Sequence, residues 1–516
     1  MTPRSGPAFP ISFLSVLVAL MAFVFLQDAS YVAANGVLEY PLDDPYIHLA
    51  MAEQLRAGGY GVNAGEYAAA SSSPLFSVLL LPLVGTSWHA WLPFFWNLVG
   101  LIVAAWLWGR ILWQAGYGAG PLGLGLAVAG PIALNMVGVA YVGMEHALHV
   151  AASLAIVLGL LRFLDEGRLT RILILGVLLS PLLRFEGLAL ALMAALVVII
   201  RGRVLPGLGL AMLAVLPVAA FAYALTMLGL DPLPSSVSAK LALPHDASMV
   251  DFIVAKVSSS LGERRVQALL GFLVVAAVLL FARPVRDAGR HWLVLAVAGA
   301  GVAHFLLGRF GWMDRYEIYI LCTMAAGLLA AVAVPGGRRL VLLPIAPMVY
   351  AMTIYLPLVL GAYPSAGNAV HLQQAQMGRF AKEFLREPVA VNDLGHVAWQ
   401  NPDYVLDLWG LASREALRLR LEDPHAGWAD ELTDAQDVRF AMVYDHWFSD
   451  EIGDDWVLLG QLHLNAPSYF LGGKVVNFYL TRPMDAAPYL EKLTAWSADL
   501  PDGATFEFTQ LADAGS

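Results

Sequence analysis

Apolar runs of near-membrane length alternate with short polar segments along the first 360 residues. A helix that crosses the hydrocarbon core needs about 20 apolar residues. The candidate segments cover 10–27, 92–110, 121–140, 146–163, 170–183, 187–200, 205–229, 265–282, 291–308, 317–334 and 340–360. A shorter apolar run, 74–84, predicts a juxtamembrane helix at the membrane surface. The pattern therefore predicts an α-helical polytopic membrane protein with about eleven transmembrane helices and one juxtamembrane helix.

The arginines orient these segments, because Lys and Arg concentrate in cytoplasmic loops. With the N-terminus inside, every inner loop is basic. The inner arginines are then Arg110, Arg162, Arg168, Arg171, Arg201, Arg203, Arg283, Arg286, Arg290, Arg338 and Arg339. Residues 170–200 fit two short helices meeting at 184–186. One long kinked helix is the alternative, but it would move Arg201 and Arg203 outside.

The first apolar segment, 10–27, is predicted to stay in the protein as a transmembrane helix. A cleaved signal peptide is the alternative, since Val32-Ala33-Ala34 is a weak small-residue cleavage site. In both cases the following loop, 28–91, faces outward.

The pattern changes after residue 361, where short alternating segments replace the apolar runs. Strands are predicted at 389–392, 404–408, 438–444, 456–462 and 474–480, and helices at 377–385, 414–421 and 487–500. An odd number of spans places this region outside. The sequence therefore predicts two domains, a transmembrane domain over 1–361 and a small extracytoplasmic α/β domain over 362–516.

Composition supports the membrane assignment. The chain is 59% hydrophobic and 14% charged, whereas soluble domains are about a quarter charged. The net charge of −10 does not suggest a nucleic-acid partner. The single cysteine, Cys322, lies in an apolar run and is assigned a packing role.

Two adjacent carboxylates, Asp43 and Asp44, follow the first span. Charges kept near membrane depth are costly and mark functional sites. We expect an ordered surface loop with these acids directed at a cleft; an ordinary solvated loop is the alternative. On the predicted topology, the same outer face collects Asp43, Asp44, His48, Glu53, Glu66, Glu145, His146, Arg184, Glu186, Asp231, Lys240, Arg309, Asp314, Arg315 and Glu317. This convergence predicts a functional site at the outer face.

Individual members of this set also have structural interpretations. Glu145 could serve only to complement a helix dipole. Arg184 and Glu186 could form a local ion pair that closes a helical hairpin. Lys240, which follows Ser235 and Ser236, suits a phosphate, or it could be a snorkelling lysine. The glycines at 120–125 follow no strand and are no dinucleotide loop, and the histidines lack metal-ligand spacing.

The ordered set of motifs resembles the GT-C superfamily of polyprenyl-phosphate-sugar-dependent glycosyltransferases. It is most similar to bacterial terminal arabinofuranosyltransferases and related mannosyltransferases. The matching stretches are 43–47, 60–63 with Glu66, 71–75, 143–145, 184–187, Pro234 with Lys240, Arg315-Tyr316, 392–395 and 406–411. The short outer domain departs from better-studied branches, which leaves the acceptor open.

This resemblance implies an inverting transfer of a sugar, a pentofuranose such as arabinofuranose or a mannose, from a polyprenyl-monophosphate donor. The acceptor is a hydroxyl of a glycan, lipid or protein in the cell envelope, on the periplasmic side of a bacterial inner membrane. An acid of the first outer loop would be the catalytic base. Asp44 is favoured, Asp43 is the alternative, and Glu145 is a further catalytic candidate. The implied donor-binding residues are Lys240, Arg184, Glu186, Arg315, Tyr316, Ser235, Ser236 and His48.

Several alternatives stay open at this point. Glu145 and Glu186 could orient the sugar, position Arg184 or hold Mg²⁺ or Mn²⁺, although three candidate cations favour metal independence, and no metal ligand is assigned. A glycan ligase or polymerase with a lipid-pyrophosphate donor is a second enzyme reading. A lipid or sugar transporter is the alternative from another class, but it is disfavoured because no internal repeat is evident and the ionisable groups gather at one face.

Overall fold

The computed structural model describes residues 9–241 and 249–509, which are mostly helical. The N-terminal part contains α1 (Phe9–Ala33), α2 (Asp44–Arg56), α3 (Phe76–Leu79), α4 (Leu92–Ala115), α5 (Pro121–Ala133), α6 (Met136–Tyr141), α7 (His146–Glu166), α8 (Arg171–Leu183), α9 (Gly187–Ile200), α10 (Val204–Met227), α11 (Ser235–Leu241), α12 (Met249–Ser260), α13 (Arg264–Phe281), α14 (Arg283–Asp287), α15 (His291–Leu307), α16 (Ile318–Val332) and α17 (Leu342–Pro357).

A six-stranded sheet follows near the C-terminus. The elements there are α18 (Tyr363–Leu372), α19 (Gln374–Arg379), β1 (Val389–Val391), α20 (Gly395–Ala398), β2 (Val405–Asp407), α21 (Arg414–Leu421), α22 (Trp428–Ala435), β3 (Phe440–Val443), β4 (Val457–Leu464), β5 (Val475–Leu480), α23 (Ala487–Ser497) and β6 (Ala504–Phe508). The strand order is β2-β1-β3-β5-β4-β6. β1 pairs in parallel with β2 and β3, and the other pairs are antiparallel.

Six helical stretches among the described residues are long and apolar enough to cross a membrane, which indicates a multi-pass membrane protein. They are Pro10–Ala33, His89–Ala115, His146–Glu166, Val204–Met227, Arg264–Phe281 and Arg339–Leu385. Five apolar helices of 10–17 residues are shorter: Pro121–Ala133, Arg171–Leu183, Gly187–Ile200, His291–Leu307 and Ile318–Val332. Each of the eleven predicted segments coincides with one of these helices, but the number of actual spans stays a prediction.

The hairpin at 184–186 forms as predicted. α8 ends at Leu183, Arg184 is in extended conformation with φ −154°, and α9 begins at Gly187. A side chain on Gly187 would clash with the backbone of Ser180, so the glycine allows the two helices to approach closely. Two charged side chains are thereby held at one end of a tight pair of apolar helices.

Two predicted helices differ from the structure. The segment 121–140 divides into α5 and α6 at Asn135, whose φ of 54° is left-handed and whose amide donates to the Tyr363 hydroxyl at 2.9 Å. The juxtamembrane run 74–84 contains only the four-residue α3, after which the chain continues in turns. Apolar composition did not reveal either interruption, because both depend on local backbone conformation.

The predicted α/β pattern near the C-terminus is confirmed in five strands. β6, α18, α20 and α22 were not predicted; α20 has only four residues, too few for a clear sequence pattern. The predicted boundary at 361/362 lies inside the helical stretch Arg339–Leu385. It stays a prediction, since the chain passes this point without a linker.

The segment between α1 and α4 and the C-terminal sheet share one hydrophobic core. Ile47 and Met51 of α2 pack in the same buried cluster as Val389 and Val391 of β1. Asn63 extends this contact to the sheet edge, where its amide exchanges two 2.9 Å hydrogen bonds with the Val405 backbone. The start of α2 is therefore held between the sheet and the membrane helices.

Candidate functional site

Asp44 lies in the first turn of α2, where Pro45 suits the first helical positions. Its Oδ1 accepts a hydrogen bond from Arg315 Nη2 at 2.8 Å. The Arg315 side chain is 1% exposed, whereas that of Asp44 is 25% exposed. The ion pair therefore orients a carboxylate that still reaches solvent.

Asp43 has a different environment, although it is the next residue. Its two carboxylate oxygens accept hydrogen bonds from the backbone amides of Gly395 (2.6 Å) and His396 (2.8 Å) at the start of α20. Burial, followed by the charge of Asp393, raises the pKa of Asp43. Asp43 thus joins the first outer loop to the C-terminal region.

This half-buried pair of acids, Asp43 and Asp393, predicts a pH-dependent contact. When folding raises the pKa of an acid, the folded state binds more protons than the unfolded state. The stability of the folded state therefore falls as the pH rises from the unfolded pKa to the folded pKa. We expect the contact between Asp43 and α20 to be tighter at pH 5 than at pH 8.

Asp393→Asn should stabilise this contact at pH 8 by roughly 1 kcal/mol, because it removes a nearby like charge. Hydrogen exchange of the Gly395 and His396 amides, corrected for intrinsic rates, measures this. The matched control is Asp499→Asn, an exposed acid after α23; an equal effect there would contradict the prediction.

Glu145, Arg184 and Glu186 form a buried ion cluster where α7 begins, α8 ends and α9 begins. Arg184 Nη1 donates to Glu145 at 2.7 Å, and Nη2 donates to Glu186 at 2.8 Å. The Glu145 side chain is fully buried, whereas Glu186 is 24% exposed. The local ion pair considered from the sequence is thus present, and Glu145, 39 residues earlier, completes it.

Tyr316 connects the Arg184 cluster to Asp44. Its ring lies 5.3 Å from the Arg184 guanidinium and 5.1 Å from that of Arg315, distances typical of cation–π contacts. Arg315 also donates to the Tyr316 hydroxyl at 3.1 Å. Sequence position alone did not show that one aromatic ring would hold both arginines.

A left-handed backbone segment directs Arg315 into the site. Trp312, Met313 and Asp314 have φ of 48°, 58° and 50°, values that are uncommon outside glycine. Asp314 is fixed by Arg265, and it also accepts from the Tyr363 hydroxyl at 3.2 Å. Asp314 therefore has a positioning role.

His48 lies on α2, beside the same cluster. Its Nδ1 contacts the hydroxyls of Ser71 (3.2 Å) and Ser77 (3.1 Å). Its Nε2 is 3.7 Å from Glu145 Oε2. His48 thus lies beside the ion cluster, and Ser71 of the loop at 71–73 contacts it directly.

The serines and lysine of α11 are less closely associated. Ser236 is buried, and Ser235 begins the helix. Val237 of α11, rather than either serine, lines the cleft described next. The Lys240 side chain lies outside the described part of the structure, so its predicted role is untested.

A cleft of about 370 Å³ opens beside the ion cluster. Its polar end is formed by Ser72, Arg184, Glu186 and Tyr316, and Arg309 is also part of its lining. Its apolar walls include Phe185, Leu188, Ala189, Leu192, Val237, Ala303, Leu307 and Tyr319. The cleft is therefore lined both by a cluster of polar and charged groups and by apolar side chains, several of them from α9 and α15.

The carboxylates suggested for Mg²⁺ or Mn²⁺ do not fit a divalent ion as placed. Glu145 and Glu186 both bind Arg184, whose charge occupies the space between them. Within residues 9–241 and 249–509, no group of three or more His, Cys, Asp or Glu could hold a metal ion. The arrangement is suited instead to orienting polar groups.

Sequence reasoning missed Ser72 and Tyr319 as parts of the site. Ser72 accepts from Arg184 at 3.4 Å; its serine-rich loop was the available signal. The Tyr319 hydroxyl contacts the Glu186 carbonyl at 3.5 Å. Arg309 was placed at the outer face, but nothing in the sequence located it beside the cleft.

Comparisons with known proteins give a partial match and a distant one. Residues 367–479 match a family described as a domain of unknown function (DUF8728). No curated protein matches the chain. Among solved structures, it is similar to the cryo-EM structure of the arabinofuranosyltransferase AftD from Mycobacteria, with 13% identity, a TM-score of 0.40 and 91% of this chain covered. This chain spans 41% of that chain's length, so its activity is argued below from its own residues.

Proposed function

We propose that this protein is a GT-C-type inverting glycosyltransferase of a bacterial inner membrane, using a polyprenyl-monophosphate sugar as donor. The donor sugar would be a pentofuranose such as arabinofuranose, or mannose. The observation that carries the proposal is the hydrophobic cleft, which ends at a cluster of charged groups linked through Tyr316 to Asp44. An amphipathic donor with a long apolar chain and a polar head matches that arrangement.

The proposed reaction joins an acceptor hydroxyl to the sugar of the lipid-linked donor. The acceptor oxygen attacks the anomeric carbon as its proton passes to the Asp44 carboxylate. The bond from that carbon to the phosphate oxygen breaks, and the lipid phosphate leaves with the electron pair. Such general-base assistance contributes about 10²–10⁴-fold. Attack opposite the leaving group inverts the configuration.

The buried ion cluster would hold the sugar rather than exchange protons. Glu186 is partly exposed and fixed by Arg184, so it can accept hydrogen bonds from sugar hydroxyls in one orientation. Preorganised polar groups in a water-poor site contribute strongly, because they need not reorganise during reaction. The acceptor, which could be a glycan, a lipid or a protein, would approach from the C-terminal region near α20.

The direct test is turnover by purified protein in lipid nanodiscs. The donors are polyprenyl-phosphate arabinofuranose, polyprenyl-phosphate mannose and a polyprenyl-pyrophosphate sugar, with and without EDTA. A cell-envelope extract supplies acceptors, and released polyprenyl phosphate is measured. We expect release from a monophosphate donor. Turnover of only the pyrophosphate donor would replace this proposal with a ligase or polymerase.

Narrowing the cleft should affect long-chain donors selectively. Ala189→Trp on α9 places a bulky ring in the apolar wall, which would exclude the lipid chain. We expect KM to rise at least tenfold for a polyprenyl donor, with a smaller change for a short-chain analogue, because the short chain needs less of the channel. The matched control is Leu196→Trp, an exposed position on the same helix. An equal rise with both donors would contradict a lipid channel.

A further inference from the structure

The two buried arginines of the site are already balanced by acids. Arg184 forms ion pairs with both Glu145 and Glu186, so this cluster contains two carboxylates and one guanidinium. Arg315 is paired with Asp44. A donor phosphate placed on either arginine would compete with existing carboxylates. An added anion would meet less competition at a cation of the cleft that no carboxylate holds.

Arg309 meets this requirement. It follows α15, is exposed, and lines the cleft. Within the part of the chain that the structure describes, no carboxylate forms an ion pair with it. The preceding residue, Gly308, also lines the cleft. The backbone that carries Arg309 is therefore part of the cleft wall. An exposed cation at the edge of an apolar channel is suited to an anionic head group.

A second cation adjoins Arg309. Lys256 of α12 donates a hydrogen bond from Nζ to the Gly308 carbonyl. Burial, followed by the positive charge of Arg309, lowers the pKa of Lys256 to about 8. A cation whose charge is disfavoured by a neighbouring cation is stabilised by an anion that contacts both. The charge of Glu186 also acts on Lys256, but more weakly than that of Arg309, and Glu186 is bound by Arg184.

We propose that Arg309 and Lys256 bind the single phosphate of the polyprenyl donor at the edge of the cleft. This inference rests on the proposed function. Arg184 and Arg315 are then positioning residues, which hold Glu186 and Asp44. The donor phosphate is a diester that carries one negative charge. Loss of the sugar leaves a monoester whose charge rises toward −2 at neutral pH, so the second cation matters most for the leaving group.

Binding of unreactive lipids in phosphatidylcholine nanodiscs tests this assignment. The probes are undecaprenyl phosphate and undecaprenol, which share the same chain but differ in the phosphate. The affinity ratio between them isolates phosphate recognition from recognition of the tail. The variants are Arg309→Ala, Arg309→Lys and Lys256→Met. The matched control is Arg264→Ala, an exposed arginine at the start of α13 that contacts Thr353.

We expect wild type and Arg264→Ala to favour the phosphate strongly, Arg309→Ala to reduce the ratio about tenfold, and Arg309→Lys to retain part of it. A charge-assisted hydrogen bond of about 1.5–3 kcal/mol corresponds to a change of this size or larger. An unchanged ratio in Arg309→Ala and Lys256→Met would overturn the inference alone. Failure of wild type to favour the phosphate over the alcohol would instead count against the proposed donor class.

Discussion

Asp44→Asn is expected to reduce sugar transfer by about 10²–10⁴-fold, the range of general-base assistance. Asparagine has nearly the size of aspartate, and its side-chain carbonyl can still accept a hydrogen bond from Arg315. It cannot, however, take the proton of the acceptor hydroxyl. The change should appear in kcat, with donor affinity nearly unchanged, because Asp44 does not line the cleft. Single-turnover release of polyprenyl phosphate measures the chemical step directly.

The control for this experiment is Asp231→Asn. Asp231 is also an outer acid paired with an arginine, Arg414, but both side chains are more than half exposed. We expect full activity from it. Asp43→Asn provides a second comparison, since its carboxylate binds backbone amides of α20. Normal transfer by Asp44→Asn would refute its assignment as the base. If Asp43→Asn alone lost sugar transfer, Asp43 rather than Asp44 would be assigned as the base.

Arg184→Met is expected to destabilise the protein by about 3–5 kcal/mol, the usual cost of leaving a buried charge without its partner. Glu145 is fully buried, and Arg184 is its closest cation. The loss should appear as a lower Tm in a fixed detergent and lipid mixture. Arg264→Met, which removes an exposed arginine, should shift Tm little.

A paired substitution separates charge from packing. Arg184→Met with Glu145→Gln removes both buried charges, so most of the lost stability should return. Activity should remain low, because Glu186 would no longer be held in place. A double variant as unstable as Arg184→Met would show that shape rather than charge is responsible.

The hydrophobic pattern determined most of the architecture. Each of the eleven segments predicted to span the membrane overlaps an apolar helix, because helix formation in a membrane satisfies the backbone groups that lipid cannot. The pair of short helices around 184–186 was also predictable, since the arginines at 201 and 203 required it. Strand alternation located five of the six strands. The left-handed residue Asn135 was not predictable, because its conformation depends on Tyr363, more than 200 positions later.

The candidate site was predictable as a set of residues but not as a set of contacts. Topology alone brings the outer charges to one face, and this is how Asp44, Glu145, Arg184 and Arg315 were selected. Their partners depend on side-chain directions. Asp43 and Asp44 are adjacent in sequence, yet one caps α20 and the other pairs with Arg315. The sequence pattern does not show which of two neighbouring aspartates binds which partner, because the partners lie on other elements of the folded structure.

The sequence by itself determined a helical membrane protein with a small sheet and the accumulation of ionisable residues at one end of its helices. Local periodicity and the cost of charge in lipid suffice for these features. Only the tertiary structure decided that Arg184 and Arg315 are already paired, that Tyr316 joins them, and that Arg309 lies beside an apolar cleft. These relations connect residues far apart in the chain, and they arise from packing, which sequence spacing does not encode.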